Sequence, residues 1–246
     1  CVVCLSSLVP GNNVAAIRAL GAEVRVVGSS QDQAMLEVQR AVREDGMIEV
    51  PPFDHPLVIA GQATLGLEIL EQLPACDTIL VPLSGGGLIA GIAMAAKAVK
   101  PTVRIVGATM ERGAAMHASL EAGHPVEVEE LPSLADSLGG GIGLNNRHTF
   151  TMVRELVDHV LLVSEAEIAE AIRHAYNEEG QVIEGAAAVG LALLLRAPRQ
   201  PWGTTVAVLS GGNIDPELHR RIVAGETPDL RETQQSATAA RSARHA

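Results

Sequence analysis

Two glycine-rich loops are the parts of this sequence best suited to chemistry. Residues 84–88 read SGGGL after the apolar run TILVPL, and residues 210–213 read SGGN after TTVAVL. Successive backbone N–H groups without Cβ atoms can bind an anion, and a helix beginning near Leu88 adds about half a positive charge at its N-terminus. Glycines also serve simply as tight turns. However, three in a row cost roughly 1 kcal/mol each in backbone entropy, which favours a phosphate or carboxylate site.

The phosphate could belong to several cofactors. Gly85, Gly87 and Ala90 fit the GxGxxA fingerprint of dinucleotide-binding folds, and Glu111 lies where such folds place their ribose-binding acid. That motif is short and weakly specific, and the third glycine position and the second loop have no role in it. The sequence contains no GxxxxGK[ST] and no HExxH, which excludes a P-loop nucleotide site and that zinc motif.

The elements before residue 51 alternate between strand and helix. CVVCL and EVRVV are predicted strands, and VAAIRAL between them is a predicted helix capped by Asn12 or Asn13. Ser30 and Gln33 have capping-box spacing at the start of a second helix, which Gly46 ends. MIEV is predicted to be a further short strand. The segment PPFDHP follows and interrupts the pattern with three prolines, so it predicts a domain boundary near residue 51.

The same alternation resumes after that boundary. Helices are predicted for AGQATLGLEILEQL, LIAGIAMAAKAV and TFTMVRELV, for a segment with Ser164 and Glu167 in capping-box spacing, and for 184–197. Strands are predicted for TILVPL, VRIVGAT, HVLLV and TTVAVLS, and 113–146 is predicted to be irregular. Continuous apolar strands alternating with helices predict an α/β fold, a parallel sheet with helices on both faces. Ligands bind outside the carboxyl ends of such strands, where both glycine loops fall.

Composition excludes several classes of partner. The 246 residues are 47% hydrophobic but include only two phenylalanines, one tyrosine and one tryptophan, and the formal net charge is -11. An acidic chain with few aromatic rings is unsuited to nucleic acid or to anionic membrane surfaces. No apolar run reaches the ~18 residues of a membrane span. We therefore expect neither a nucleic-acid nor a membrane partner.

The cysteines indicate a reducing compartment. Cys1, Cys4 and Cys76 are an odd number, which together with the absence of a signal peptide favours the cytoplasm. CVVC matches a CxxC motif, but positions three apart on a strand face opposite ways, so we interpret both cysteines as small core residues. The chain opens within a strand and without Met, so we expect an N-terminal portion to be missing.

Three segments together carry a family resemblance: VPLSGGGLIAGIA, PPFDHPLVIAGQATLGLEI and VAVLSGGN. They resemble the fold type II pyridoxal-phosphate enzymes of the threonine dehydratase and serine racemase group, from residue 1 to about residue 225. Within that group, SLVPGNNVAAIRALGAEVRVVG, MERGAAMHASLEAGHP and SLADSLGGGIGLNNRHTF are most similar to the hydroxyectoine utilization dehydratases. The resemblance implies a tryptophan synthase β-like fold. It would comprise the remainder of a small domain in 1–50 and a large cofactor-binding domain in 51–225. The polar composition of 226–246, without an apolar period, predicts a disordered tail.

The resemblance also assigns roles to the loops. Ser84, Gly85, Gly86, Gly87 and Leu88 would hold the phosphate of pyridoxal 5'-phosphate with their backbone amides. Ser210 would lie opposite the pyridine nitrogen; its alternative role is that of a turn residue.

Two acidic residues have open assignments. Glu184 opens the segment EGAAA, which matches the family's EPAGA without its proline, and it would either line the pocket or cap the following helix. Asp136 in SLADSLGGG would lie near the active site, or it is an exposed loop acid. The family's divalent-cation position is Thr109 here, and Glu111 two residues on is interpreted as a solvated charge, so we expect no metal.

The residue that does the family's chemistry is not found in this chain. The group uses a Schiff-base lysine in an FKxRG-type motif and binds substrate through an SxGNH-type loop, and both motifs precede the matched region. Only Lys97 and Lys100 are present, and we interpret them as surface charges at a helix end. The expected parent protein is a homodimer or higher homo-oligomer that dehydrates or deaminates a β-hydroxy amino acid. The chain by itself is expected to be inactive. Open alternatives are a racemase of the same fold, a nicotinamide-dependent oxidoreductase and a non-catalytic anion-binding module.

Overall fold

The computed structural model describes residues 1–196 and 201–230 and contains two parallel sheets. In the smaller sheet, β1 (Val2–Leu5) pairs in parallel with β2 (Glu23–Val26). The larger sheet has the order β5-β4-β3-β6, and every neighbouring pair is parallel. Its strands are β3 (Thr78–Pro82), β4 (Arg104–Met110), β5 (His159–Val163) and β6 (Thr205–Ala207).

Helices connect the strands and cover the sheets. Their bounds are α1 (Gly11–Ala19), α2 (Gln31–Asp45), α3 (Pro56–Gln72), α4 (Gly87–Val99), α5 (Ala115–Ala122), α6 (Thr149–Leu156), α7 (Glu165–Asn177), α8 (Gly185–Leu195) and α9 (Pro216–Val223). A short 3-10 helix spans Asp136–Leu138. No helix in the described ranges is both long and apolar enough to cross a membrane.

The larger sheet is buried on both faces. All five residues of β3 are buried, as continuous apolar strands in a covered parallel sheet should be. On one face the core includes Ile89 and Ile92 of α4 and Phe150 of α6. On the other face it includes Ile172 of α7 and Val189 of α8. The predicted α/β class is therefore confirmed.

Two of the predicted helix starts are set by side-chain caps. At α7 the Ser164 hydroxyl accepts from the Glu167 N–H while the Glu167 carboxylate accepts from the Ser164 N–H, which is the predicted capping box. At α2 Ser30 accepts from the Gln33 N–H, but the Gln33 side chain accepts from Ser29. Only half of that second box forms.

Several sequence-based predictions were wrong in detail. Pro10 occupies the N-cap position of α1, so Asn12 and Asn13 lie inside its first turn. MIEV forms no strand: Ile48 and Val50 are 91% and 85% exposed, and no strand of 1–196 or 201–230 pairs with them. The stretch 113–146, predicted to be irregular, contains α5, and the sequence reading missed α9 altogether.

The cysteines do not all pack as predicted. Cys76 is fully buried, but Cys4 is half-buried and Cys1 is exposed. Residues 1–50 hold the smaller sheet and 51–225 hold the larger one, yet the division into two domains stays a prediction. Most of the predicted disordered tail, 231–246, lies outside the described residues.

Candidate cofactor-binding site

The two glycine loops meet at one edge of the larger sheet. SGGGL follows β3 and SGGN follows β6, and these two strands are parallel neighbours. The next strand along the chain, β4, lies on the other side of β3, so connections diverge at this point of the sheet. Such a divergence opens a crevice at the carboxyl ends of the strands. A cavity of about 770 Å³ lies there, and its walls include Ser84–Leu88, Glu184 and Ser210.

Each glycine of the first loop lies where a side chain would be strained or crowded. Gly86 has a φ of +91°, which side chains rarely adopt. A Cβ on Gly85 would lie 2.4 Å from two ring carbons of Phe53, and one on Gly87 would lie 3.0 Å from the Phe53 carbonyl oxygen. The glycines therefore permit close packing on this side of the loop as well as a tight turn.

The backbone amides of the loop are available to a ligand. Gly85, Gly86 and Gly87 are buried, and Gly86 is the N-cap of α4 without any side-chain cap. The first helical hydrogen bond of α4 runs from Ala90 N–H to the Gly86 carbonyl. Within the described residues, no N–H of 84–88 donates to a protein acceptor. Buried amides without acceptors are rare, and at a helix N-terminus they fit an anion such as a phosphate.

The second loop places a hydroxyl on the same cavity. Ser210 is exposed and follows β6 after Val208 and Leu209, which also line the cavity. The residues therefore offer amides for a phosphate at one wall and a neutral hydroxyl at another. This combination fits a phosphorylated aromatic cofactor.

Glu184 supports the second loop. It holds the N-cap position of α8, but its side chain makes no capping hydrogen bond. Instead Oε2 accepts from the Asn213 N–H at 3.1 Å, and the backbone N–H of Glu184 donates to the Gly211 carbonyl at 3.1 Å. Glu184 thus borders the cavity and does not cap α8 with its side chain, while its place in a cofactor pocket stays a prediction.

Asp136 lies beside the cavity rather than in it. Its neighbour Ser137 reaches the 770 Å³ cavity, whereas Asp136 lines an adjacent one of about 420 Å³ with Asn13 and Asp215. Burial, together with the nearby charge of Glu184, raises the pKa of Asp136 to about 6. Asp136 is half-buried in the 3-10 helix, so it is not the exposed loop acid of the alternative interpretation.

The other residues considered from the sequence lie away from the cavity. The Lys97 ammonium pairs with Asp158 at 2.9 Å and Lys100 donates to the Cys76 carbonyl at 2.7 Å, both at the end of α4 opposite the glycine loop. Thr109 is buried, and its hydroxyl donates a hydrogen bond to the Met110 sulfur. Glu111 lines a separate small cavity, so it does not serve a nucleotide bound at SGGGL.

Phe53 is the cavity residue that sequence reasoning missed. PPFDHP predicts a boundary and belongs to a segment that carries the family resemblance, but neither observation gives Pro52 or Phe53 a place at the site, and both line the cavity. The scarcity of aromatic residues was the available signal, since only two phenylalanines occur in the chain.

Comparison with known proteins agrees with this geometry. The family model described as "Pyridoxal-phosphate dependent enzyme" matches residues 1–211. The chain belongs to this family.

Individual relatives of the family agree on one class of reaction. The chain is 59% identical over 224 residues to a Sinorhizobium fredii protein provisionally named a threonine dehydratase, covering 91% of this chain and 68% of that one. It is 46% identical over 207 residues to an L-threonine ammonia-lyase of Geobacter sulfurreducens, covering 84% of this chain and 51% of that one. The chain thus spans about two thirds of the first relative and half of the second.

Solved structures show the same fold. Maize serine racemase superposes with a TM-score of 0.79 at 29% identity, covering all of this chain and 71% of that one. The processed threonine deaminase isoform 2 of Solanum lycopersicum gives 0.77 at 32% identity, covering 92% and 66% respectively. The predicted fold type II resemblance is confirmed, and the dinucleotide interpretation of GxGxxA loses its support.

Proposed function

We propose that SGGGL binds the phosphate of pyridoxal 5'-phosphate and that Ser210 faces the pyridine nitrogen. The observation that carries the proposal is the row of buried, acceptor-free amides at the N-terminus of α4, on a cavity that Ser210 also lines. The helix dipole and these amides favour a dianion there without any lysine or arginine. Glu184 fixes the second loop through Asn213 and so holds Ser210 in place.

We propose that the whole protein is a lyase, a dehydratase or ammonia-lyase of a β-hydroxy amino acid. When bound, pyridoxal phosphate supplies an electron sink for the α-carbon of an amino acid. A neutral serine opposite the ring nitrogen does not hold a proton there as a carboxylate would. With an unprotonated nitrogen the ring would be a weaker electron sink, which favours loss of a β-leaving group over transamination. The names of the relatives support this class of reaction.

A racemase of the same fold is the second candidate, since a serine racemase is among the similar structures. We further propose a role in hydroxyectoine breakdown, a cytoplasmic location and a homo-oligomeric state, on the strength of the sequence resemblance. An assay of the whole protein for ketoacid and ammonia release from L-threonine and L-serine, with chiral analysis of the remaining substrate, separates the lyase from the racemase.

The cofactor proposal is tested by calorimetric titration of the chain with three probes: pyridoxal phosphate, pyridoxal and inorganic phosphate. We expect pyridoxal phosphate to bind, inorganic phosphate to compete with it, and pyridoxal to bind far more weakly. Ser210→Ala should raise the Kd for pyridoxal phosphate about 2- to 10-fold, because one neutral hydrogen bond is lost, and should leave the Kd for inorganic phosphate unchanged. Equal binding of pyridoxal and pyridoxal phosphate would contradict the assignment of the loop.

A further inference from the structure

The glycine loop is held between two parts of the chain that are far apart in sequence. On one side, Phe53 packs its ring on Gly85 and its backbone on Gly87. On the other side lies the first turn of α6. A Cβ on Gly86 would come within 3.1 Å of Thr149 Cβ and of Val153 Cγ2. The loop therefore has little room to move in either direction.

Asp54 connects these two sides. It follows Phe53 directly, and its carboxylate accepts three backbone N–H groups at the start of α6. Oδ2 accepts from Arg147 at 2.6 Å, and Oδ1 accepts from His148 and Thr149 at 2.9 Å each. These charge-assisted bonds fix the distance between the Phe53 segment and α6.

The N-terminus of α6 depends on Asp54 for its cap. The helix's own N-cap residue, His148, makes no side-chain cap hydrogen bond. Asn146 adds a local bond by accepting the Phe150 N–H at 2.9 Å. The Asp54 carboxylate, 95 residues from Thr149 in sequence, thus caps α6 in the way that a serine or aspartate at the N-cap position caps most helices.

We propose that Asp54 is a positioning residue of the cofactor site: by tying Phe53 to α6, it closes a clamp that holds Gly85, Gly86 and Gly87 with their amides converging. This inference rests on the proposed cofactor role of the loop and deepens it. A preformed loop does not lose conformational freedom when the phosphate arrives, so clamping it strengthens binding without contact to the ligand.

The proposal distinguishes a clamp from a mere helix cap. If Asp54 only caps α6, its loss loosens 147–149 and nothing else. If it closes the clamp, the effect reaches 84–88, which Asp54 does not touch through any hydrogen bond in the described residues.

The test compares the chain with Asp54→Asn and with Asp158→Asn. Asp158 is a matched control because its carboxylate also accepts a backbone N–H, that of Ile105 at 2.7 Å, at the opposite end of the sheet. Amide hydrogen exchange of the free protein should speed up in Asp54→Asn only, at 147–149 and also at Ala90, whose N–H donates to the Gly86 carbonyl and so reports on the loop. The Kd for pyridoxal phosphate and for inorganic phosphate should rise about tenfold in Asp54→Asn, with Asp158→Asn unchanged.

Unchanged exchange at Ala90 in Asp54→Asn would overturn the clamp. If Asp54→Asn does not fold, Phe53→Leu removes the ring from the other side of the loop and should give the same faster exchange at Ala90. If the unaltered chain binds no pyridoxal phosphate, the proposed function fails, while the exchange comparison still decides the clamp.

Discussion

Gly86→Ala separates the binding role of the glycine loop from its role as a turn. Gly86 has a φ of +91°, and an alanine held in the left-handed region costs about 1–2 kcal/mol. The new Cβ would also lie 2.9 Å from Met116 Cε and 3.1 Å from Thr149 Cβ. The Met116 terminus can move, so we take the lower end of overpacking costs, about 1 kcal/mol.

Gly123→Ala is the matched control. Gly123 has a φ of +79°, but no atom of the described residues lies within 4 Å of its Cβ position, so only the backbone strain remains. For a chain of this size about 1 kcal/mol lowers Tm by about 2–4 °C. We therefore expect Gly86→Ala to melt about 2–4 °C below Gly123→Ala.

Binding is the decisive readout of this comparison. Gly86→Ala should raise the calorimetric Kd for pyridoxal phosphate at least about tenfold, because the amides of 84–88 no longer converge. Gly123→Ala should bind as the unaltered chain does. Equal melting of the two variants together with an unchanged Kd in Gly86→Ala would refute the reasoning.

Three further predictions concern the supports of the site and the pH response. Glu184→Gln should weaken the binding of pyridoxal phosphate several-fold and that of inorganic phosphate only a little, because the carboxylate holds the Asn213 loop and not SGGGL. Equal weakening of the binding of both ligands in titrations would contradict this. The pKa of Asp136 is raised to about 6, so its ionisation destabilises the fold as the pH rises from about 4 to 6. Asp136→Asn should therefore raise Tm at pH 8 but not at pH 4. An equal rise in Tm at both pH values would contradict this prediction. Burial lowers the pKa of His219, whose Nε2 has no partner in the described residues and whose ring packs edge-on against Tyr176. Unfolding therefore takes up protons below pH 6.5, and His219→Phe should melt progressively higher than the unaltered chain below that pH, with no such trend above pH 7.

Local signals predicted much of the fold. Ser164 and Glu167 predicted the start of α7, and Gly46, with a φ of +65°, predicted the end of α2. Both were predictable because a helix cap depends on residues within one turn of the helix end. Asp215 and Pro216 offered the same kind of signal for α9, since Asp215 accepts two N–H groups of its first turn, but the sequence reading passed over them.

The errors arose where contacts between segments far apart in sequence determine the local structure. Ile48 and Val50 are residue types that favour a strand, but in the described part of the chain no strand lies beside them to pair with. Phe53 and Asp54 reach Gly85 and Thr149 only in the folded chain, so no sequence spacing reveals the clamp. The proposed ligand-binding loops lie at the carboxyl ends of β3 and β6, and this place was predictable because each glycine cluster directly follows an apolar strand in the sequence.

A structure of the chain with pyridoxal phosphate bound is the most direct test of the central claim. We expect the phosphate oxygens at about 2.7–3.2 Å from backbone nitrogens of 84–88, with the Ser210 hydroxyl facing the ring nitrogen. A phosphate bound at any other part of the chain would contradict it.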